Sequence, residues 1–126
     1  MKKKILIIED DTKNRMLEKD LLEVAGFEVL EATHGSEGIA LAQKERPDAI
    51  VMDLRLPDLR GDEVVRELRC HAETREIPVI YVTASVVGDL LVGDGAMPNT
   101  TLITKPIDTR TFATQITQFI PGGLHG

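Results

Sequence analysis

Three successive acids, Glu9, Asp10 and Asp11, follow one apolar run, and a lone carboxylate, Asp53, ends another at residues 49–52. Farther along, Thr83 closes a third apolar run and Lys105 a short fourth one. Carboxylates held close together repel one another, so a cluster of them calls for a counter-charge. A hard divalent cation fits, because Mg²⁺ takes oxygen ligands from one or two carboxylates, a backbone carbonyl and waters. The Lys105 ammonium and the Thr83 hydroxyl would then face a dianionic phosphoryl group, with an aspartate as nucleophile. Phosphoryl transfer asks mainly for positioning and charge neutralisation, which these groups can give. Taken singly each residue also has a plainer use: helix caps for the acids, a turn for Thr83, a surface charge for Lys105. The chemistry requires a scaffold that gathers all of them.

A parallel sheet is such a scaffold, since every strand carboxyl end lies at one edge, where open α/β sheets keep their ligand crevices. Residues 5–8 form a β-branched and leucine run, read as a central strand leading into Glu9. Asp11 or Thr12 can cap the following helix, which accounts for one of the three acids. Leu17, Leu21 and Val24 recur there at helical spacing, and Gly26 is the stop. Residues 28–32 alternate as a short edge strand with Val29 and Leu30 inward. Gly35 and Ser36 start a second helix, in which Ile39 and Ala42 face inward and which Pro47 ends. The strand before Asp53 follows, and Pro57 stops further ladder pairing.

Residues 58–61 read as a turn before a third helix built on Val64, Val65 and Leu68. Pro78 introduces a strand over residues 79–83. Residues 86–98 can form one apolar face through Val86, Val87, Leu90 and Leu91, yet three glycines weaken it, so a short or frayed helix is expected. Residues 102–104 form a last short strand. Asp108 can cap a final helix whose buried stripe is Phe112, Ile116, Phe119 and Ile120. Strand and helix alternate throughout, which implies right-handed crossovers and a parallel sheet covered on both faces. The expected division is one domain over residues 1–120 and a mobile tail over 121–126.

With a net charge of -6 and a single basic run at residues 2–4, a nucleic-acid groove is not expected. One cysteine, Cys70, excludes an intramolecular disulfide. It and His71, with only His34 and His125 elsewhere, give no zinc spacing, and both read as structural residues at a helix end. No apolar stretch is long enough to cross a bilayer, so a cytoplasmic protein without membrane insertion is expected.

The pattern Ile-Leu-Ile-Ile-Glu9-Asp10-Asp11, then Ile-Val-Met-Asp53-Leu-Arg-Leu-Pro57 with Gly61, then Val-Thr83-Ala84 and Thr-Lys105-Pro106 resembles the receiver domain of two-component response regulators, over residues 4–120. The resemblance implies a flavodoxin-like, doubly wound α/β fold, a five-stranded parallel sheet of order 2-1-3-4-5 with helices on both faces. It implies Asp53 as the phosphoacceptor, charged in a Mg²⁺-dependent reaction from a phosphohistidine on a sensor histidine kinase or histidine phosphotransfer protein. Glu9, through water, and Asp10 would hold the metal with Asp53 and the Arg55 backbone carbonyl. Thr83 would turn toward the phosphoryl oxygens, and Lys105 would pair with them. A cis peptide between Lys105 and Pro106 is also implied. Such a protein is no enzyme in the ordinary sense, although it assists its own phosphorylation and dephosphorylation. Its output is contact with a downstream protein target, as a monomer or weak homodimer.

One departure matters. Receivers usually carry Tyr or Phe three residues before the lysine, and here Leu102 stands there, so the usual switch readout through Thr83 and that ring is altered. The resemblance also implies that Arg55 and Ser85 would flank the path of attacking water, with Arg55 expected to stabilise or shield the acyl phosphate. The alternative is a receiver-fold docking module whose output does not depend on phosphorylation. An aspartate-nucleophile phosphatase of the haloacid-dehalogenase kind ranks lower, since it wants an acid where Arg55 stands. A dinucleotide-binding domain lacks its Gly-x-Gly-x-x-Gly after the first strand.

Overall fold

The computed structural model describes residues 2–84 and 99–121. The helix expected within residues 86–98, Ser85 and the tail beyond residue 121 lie outside the described residues. The elements run β1 (Lys4–Ile8), α1 (Thr12–Val24), β2 (Glu28–Ala32), α2 (Gly35–Glu45), β3 (Ala49–Met52), α3 (Gly61–Arg69), β4 (Val79–Thr83), β5 (Thr100–Thr104) and α4 (Phe112–Phe119). All five strands pair in parallel, in the order β2-β1-β3-β4-β5. The implied sheet is the observed one.

Alternation along β1 divides the core into two layers. Leu6 and Ile8 pack with Ala42 of α2 and Val64, Val65 and Leu68 of α3, while Ile5 and Ile7 pack with Leu22 of α1 and Phe112 and Ile116 of α4. A strand buried on both faces carries side chains of both layers, so its polar residues can stand only at its ends. β2 is the edge strand, and Val29 and Leu30 are half-buried in opposite layers.

The end of α1 is fixed by glycine. Gly26 adopts φ 105°, its N–H donates to Glu23 O, and the Phe27 N–H reaches back to Leu22 O at 3.0 Å. This reverse turn needs a left-handed residue and drives Phe27 into the core, where it is 1% exposed.

Three expectations need correction. Leu17 is 40% and Val24 89% exposed, whereas Glu18 and Leu22 are buried on α1. Leu22 and the Phe27 anchor set the rotation of the helix, which turns the Leu17 and Val24 edge of the apolar stripe outward. The second correction concerns Asp108, whose carboxylate accepts from the Arg110 N–H and whose carbonyl accepts from Thr111 and Phe112. It closes the turn before α4, whose N-cap is Thr111. Finally, β5 begins at Thr100, two residues earlier than expected.

Candidate functional site

Backbone bonds at the strand ends draw the polar residues toward one place. The N–H of Glu9 donates to Ala32 O at 3.0 Å, that of Asp53 to Ile8 O at 3.2 Å, and that of Lys105 to Thr83 O at 3.0 Å. Each continues a parallel ladder one step beyond its strand. Glu9, Asp53, Thr83 and Lys105 therefore share the carboxyl edge of β1, β3, β4 and β5.

Side-chain geometry completes the cluster. Lys105 Nζ donates to Glu9 Oε1 at 2.9 Å and to Asp53 Oδ2 at 2.7 Å. The other Asp53 oxygen, Oδ1, accepts from the Arg55 N–H at 2.9 Å. Glu9 Oε2 accepts from the Asp11 N–H, and the Glu9 carbonyl accepts from Arg15 Nη1 at 3.0 Å. Asp11 caps α1 by accepting from the Asn14 N–H at 2.9 Å, as expected. Thr83 is buried at the end of β4, and Asp10 is exposed just past Glu9. Lys105 and Pro106 are joined by the expected cis peptide.

Burial and charge compete here. The Glu9 side chain is 2% exposed, against 13% for Asp53 and 16% for Lys105. Burial raises the Glu9 pKa, and the Lys105 hydrogen bond offsets this only in part. For Lys105 burial acts to lower the pKa, yet the hydrogen bonds and charges of Asp53 and Glu9 outweigh it and raise the value. One ammonium thus serves two carboxyl groups.

Among the described residues no group of three or more His, Cys, Asp or Glu side chains is placed to hold a metal ion by itself. The donors present are one buried carboxylate, one partly buried and one exposed to water. That set suits a hydrated hard cation, which takes few protein oxygens and keeps several waters, better than a fully dehydrated one.

Glycine lets the loop after Asp53 close. A Cβ on Gly61 would lie 2.9 Å from Asp53 O, 3.0 Å from Leu54 Cα and 3.1 Å from a ring carbon of Tyr81. Instead the Gly61 N–H donates to Leu54 O at 2.6 Å, and the loop folds back as a hairpin bridging Arg55 and Arg60. Tyr81 lies in register with Leu102. The tyrosine hydroxyl is buried with no hydrogen-bond partner among the described residues, and burial pushes its pKa up to about 12.

Two residues of this region escaped the sequence reading. Glu18 is 2% exposed, and burial together with the negative charge of Glu9 pushes its carboxyl up to about 8. It lines a groove of about 340 Å³ with Leu17, Lys105, Pro106 and Ile107, beside the cluster. Its spacing of four from Leu22 was the available signal, masked by the stronger leucine pattern. Asp58, read as a local turn residue, reaches across to α2: its carboxylate accepts from the Gly35 N–H at 2.7 Å and the Ser36 N–H at 3.0 Å. The Ser36 backbone and hydroxyl hydrogen bonds hold the Asp58 carboxyl down at about 2. No local pattern announces a contact across 23 residues.

The chain and its fold have counterparts among known proteins. The family model described as the response regulator receiver domain matches residues 5–117. The polar-differentiation response regulator DivK of Brucella anthropi is 44% identical over 84 residues, covering 67% of this chain and 68% of DivK. The chemotaxis response regulator CheY4 of Vibrio cholerae superposes with a TM-score of 0.86 at 26% identity, over 95% of this chain and 100% of its own. The receiver domain of the sensor histidine kinase PA1611 from Pseudomonas aeruginosa, solved with magnesium in its active site cleft, gives 0.79 at 28% identity over 94% and 98%. No helix among the described residues is long and apolar enough to cross a membrane. By family model and by relatives, the chain belongs to the receiver domains of response regulators, the phosphoacceptor modules of two-component signalling.

Proposed function

We propose that Asp53 is the phosphoacceptor of this receiver, charged by a phosphohistidine on a sensor histidine kinase or histidine phosphotransfer protein. The observation that carries this reading is the Lys105 ammonium bridging Asp53 Oδ2 and Glu9 Oε1 at 2.7 and 2.9 Å. A carboxylate so oriented, with Oδ1 on the Arg55 N–H, is a positioned nucleophile. An Asp53 oxygen attacks phosphorus, the phosphorus–nitrogen bond breaks, and the imidazole leaves with its electron pair. Lys105 then pairs with the phosphoryl oxygens, and Thr83 at the adjoining strand end donates its hydroxyl to them. Glu9, Asp10, Asp53 and the Arg55 carbonyl would hold Mg²⁺, which supplies neutralisation of charge on the transferred group when bound. Reversal of the acyl phosphate by water, assisted by the same site, resets the domain.

The domain spans residues 1–120 and signals through a downstream protein target, as a monomer or weak homodimer. Leu102, facing Tyr81 across the strand pair, sets a switch surface without the usual ring at that position. Incubation with Mg²⁺ and acetyl phosphate, followed by intact mass, tests the assignment. One phosphoryl group is expected on the wild type and none on Asp53→Asn, and an equal gain by both would remove Asp53 from the role. Arg55 is exposed beside the acceptor, and Arg55→Ala is expected to shorten the acyl phosphate lifetime. An unchanged decay rate would count against shielding by its side chain.

A further inference from the structure

We infer that Asp58 is a positioning residue for the phosphoacceptor, holding the Arg55 N–H against Asp53 by tying the hairpin that carries Arg55 to the amino end of α2. The inference rests on the role proposed for Asp53. Its geometry is a chain of contacts. At one end, Asp58 takes the first two N–H groups of α2, Gly35 to Oδ1 at 2.7 Å and Ser36 to Oδ2 at 3.0 Å. Between lies a short hairpin, closed by Leu56 N–H to Leu59 O at 3.3 Å and by the Arg55 to Arg60 bridge. At the other end, the Arg55 N–H meets Asp53 Oδ1 at 2.9 Å.

Two further observations favour a tether over an ordinary cap. The N-cap of α2 is His34, whose side chain makes no capping bond, so the helix end relies on a carboxylate from a distant loop. Beside it, a Cβ on Gly35 would lie 2.9 Å from Val64 Cγ2 and 3.1 Å from Leu59 Cβ. The absence of a side chain at residue 35 lets α2 approach this hairpin closely. The hairpin and the amino end of α2 are thereby locked to each other. Asp58 lies three residues before α3 yet accepts from the N–H groups of α2, so it ties the loop that carries it to a different helix.

The test separates capping from positioning. Asp58→Ala should lower the thermal midpoint, speed amide exchange at Arg55 in the metal-free protein, and slow phosphorylation by acetyl phosphate roughly five- to tenfold. Adding His34→Asp gives α2 a cap of its own without joining it to the hairpin. This double variant should regain the thermal midpoint while Arg55 exchange stays fast and phosphorylation slow. Recovery of all three in the double variant would reduce Asp58 to a helix cap and overturn the inference, as would wild-type Arg55 exchange in Asp58→Ala alone. A wild type that accepts no phosphoryl group would instead defeat the role given to Asp53. Exchange at Arg55 would still decide whether Asp58 fixes the loop.

Discussion

The two edges of the sheet are both charged, yet only one is built for chemistry. At the amino edge Lys4 pairs with Glu45 at 3.5 Å, with side chains 36% and 30% exposed, near a groove of about 480 Å³ lined by residues of both signs such as Arg46, Asp48 and Glu76. At the carboxyl edge Lys105 binds two carboxylates at 2.7 and 2.9 Å, one of them nearly sealed from water. The larger hollow lies at the edge with the weaker electrostatics. Water screens the first set, so its charges act almost independently. Desolvation couples the second set, so a change at one member is felt by the others. Coupling, rather than cavity size, marks the site.

The largest effect that could break this contrast is expected from Lys105→Ala. It should cut phosphorylation by about 10²- to 10³-fold. In metal-free protein at neutral pH it should also cost roughly 2–4 kcal/mol of stability, because two carboxylates lose their shared partner. Urea unfolding that leaves the midpoint in place would mean that this edge is as well screened as the other.

A smaller and pH-dependent effect belongs to Glu18. Its carboxyl, raised to about 8 from an ordinary 4.5, binds a proton in the folded chain that the unfolded chain has released. Its contribution to stability is therefore fullest below pH 4.5 and is lost as pH rises toward 8. Glu18→Gln keeps the shape and removes the ionisation. It should flatten that slope and stabilise the protein above pH 8 by on the order of 1–3 kcal/mol. Unfolding curves of equal slope for both proteins between pH 5 and 8 would show that Glu18 is well solvated. The smallest effect is expected at the opposite edge, where Lys4→Ala should shift stability by no more than about 0.5 kcal/mol. A loss approaching that of Lys105→Ala would erase the distinction between the edges.

How far local pattern carries can be judged residue by residue. The apolar runs ending at Glu9, Asp53 and Thr83 announced their strands, because a strand buried on both faces leaves polar groups only at its ends. The Val64, Val65 and Leu68 face of α3 was likewise visible, and all three are fully buried. α1 was harder to read, since Leu17, Leu21 and Val24 form a plausible stripe, while Leu22 and Phe27 decide which way the helix turns. Asp58 was legible as a turn residue and no more. A carboxylate one turn from its own helix and one bond from another carries the same local signature.

The order of apolar runs and polar ends, by itself, determined a parallel α/β sheet and named the acids, the hydroxyl and the lysine at its edge, because strand direction converts chain position into shared location. Tertiary structure alone decided that Lys105 bridges Glu9 and Asp53, that Glu18 is shut away beside them, and that Asp58 fastens the loop after Asp53 to α2. Those outcomes depend on distances between segments far apart in the chain. Such distances are set when the two core layers close on the sheet, and no periodicity within a single segment encodes them.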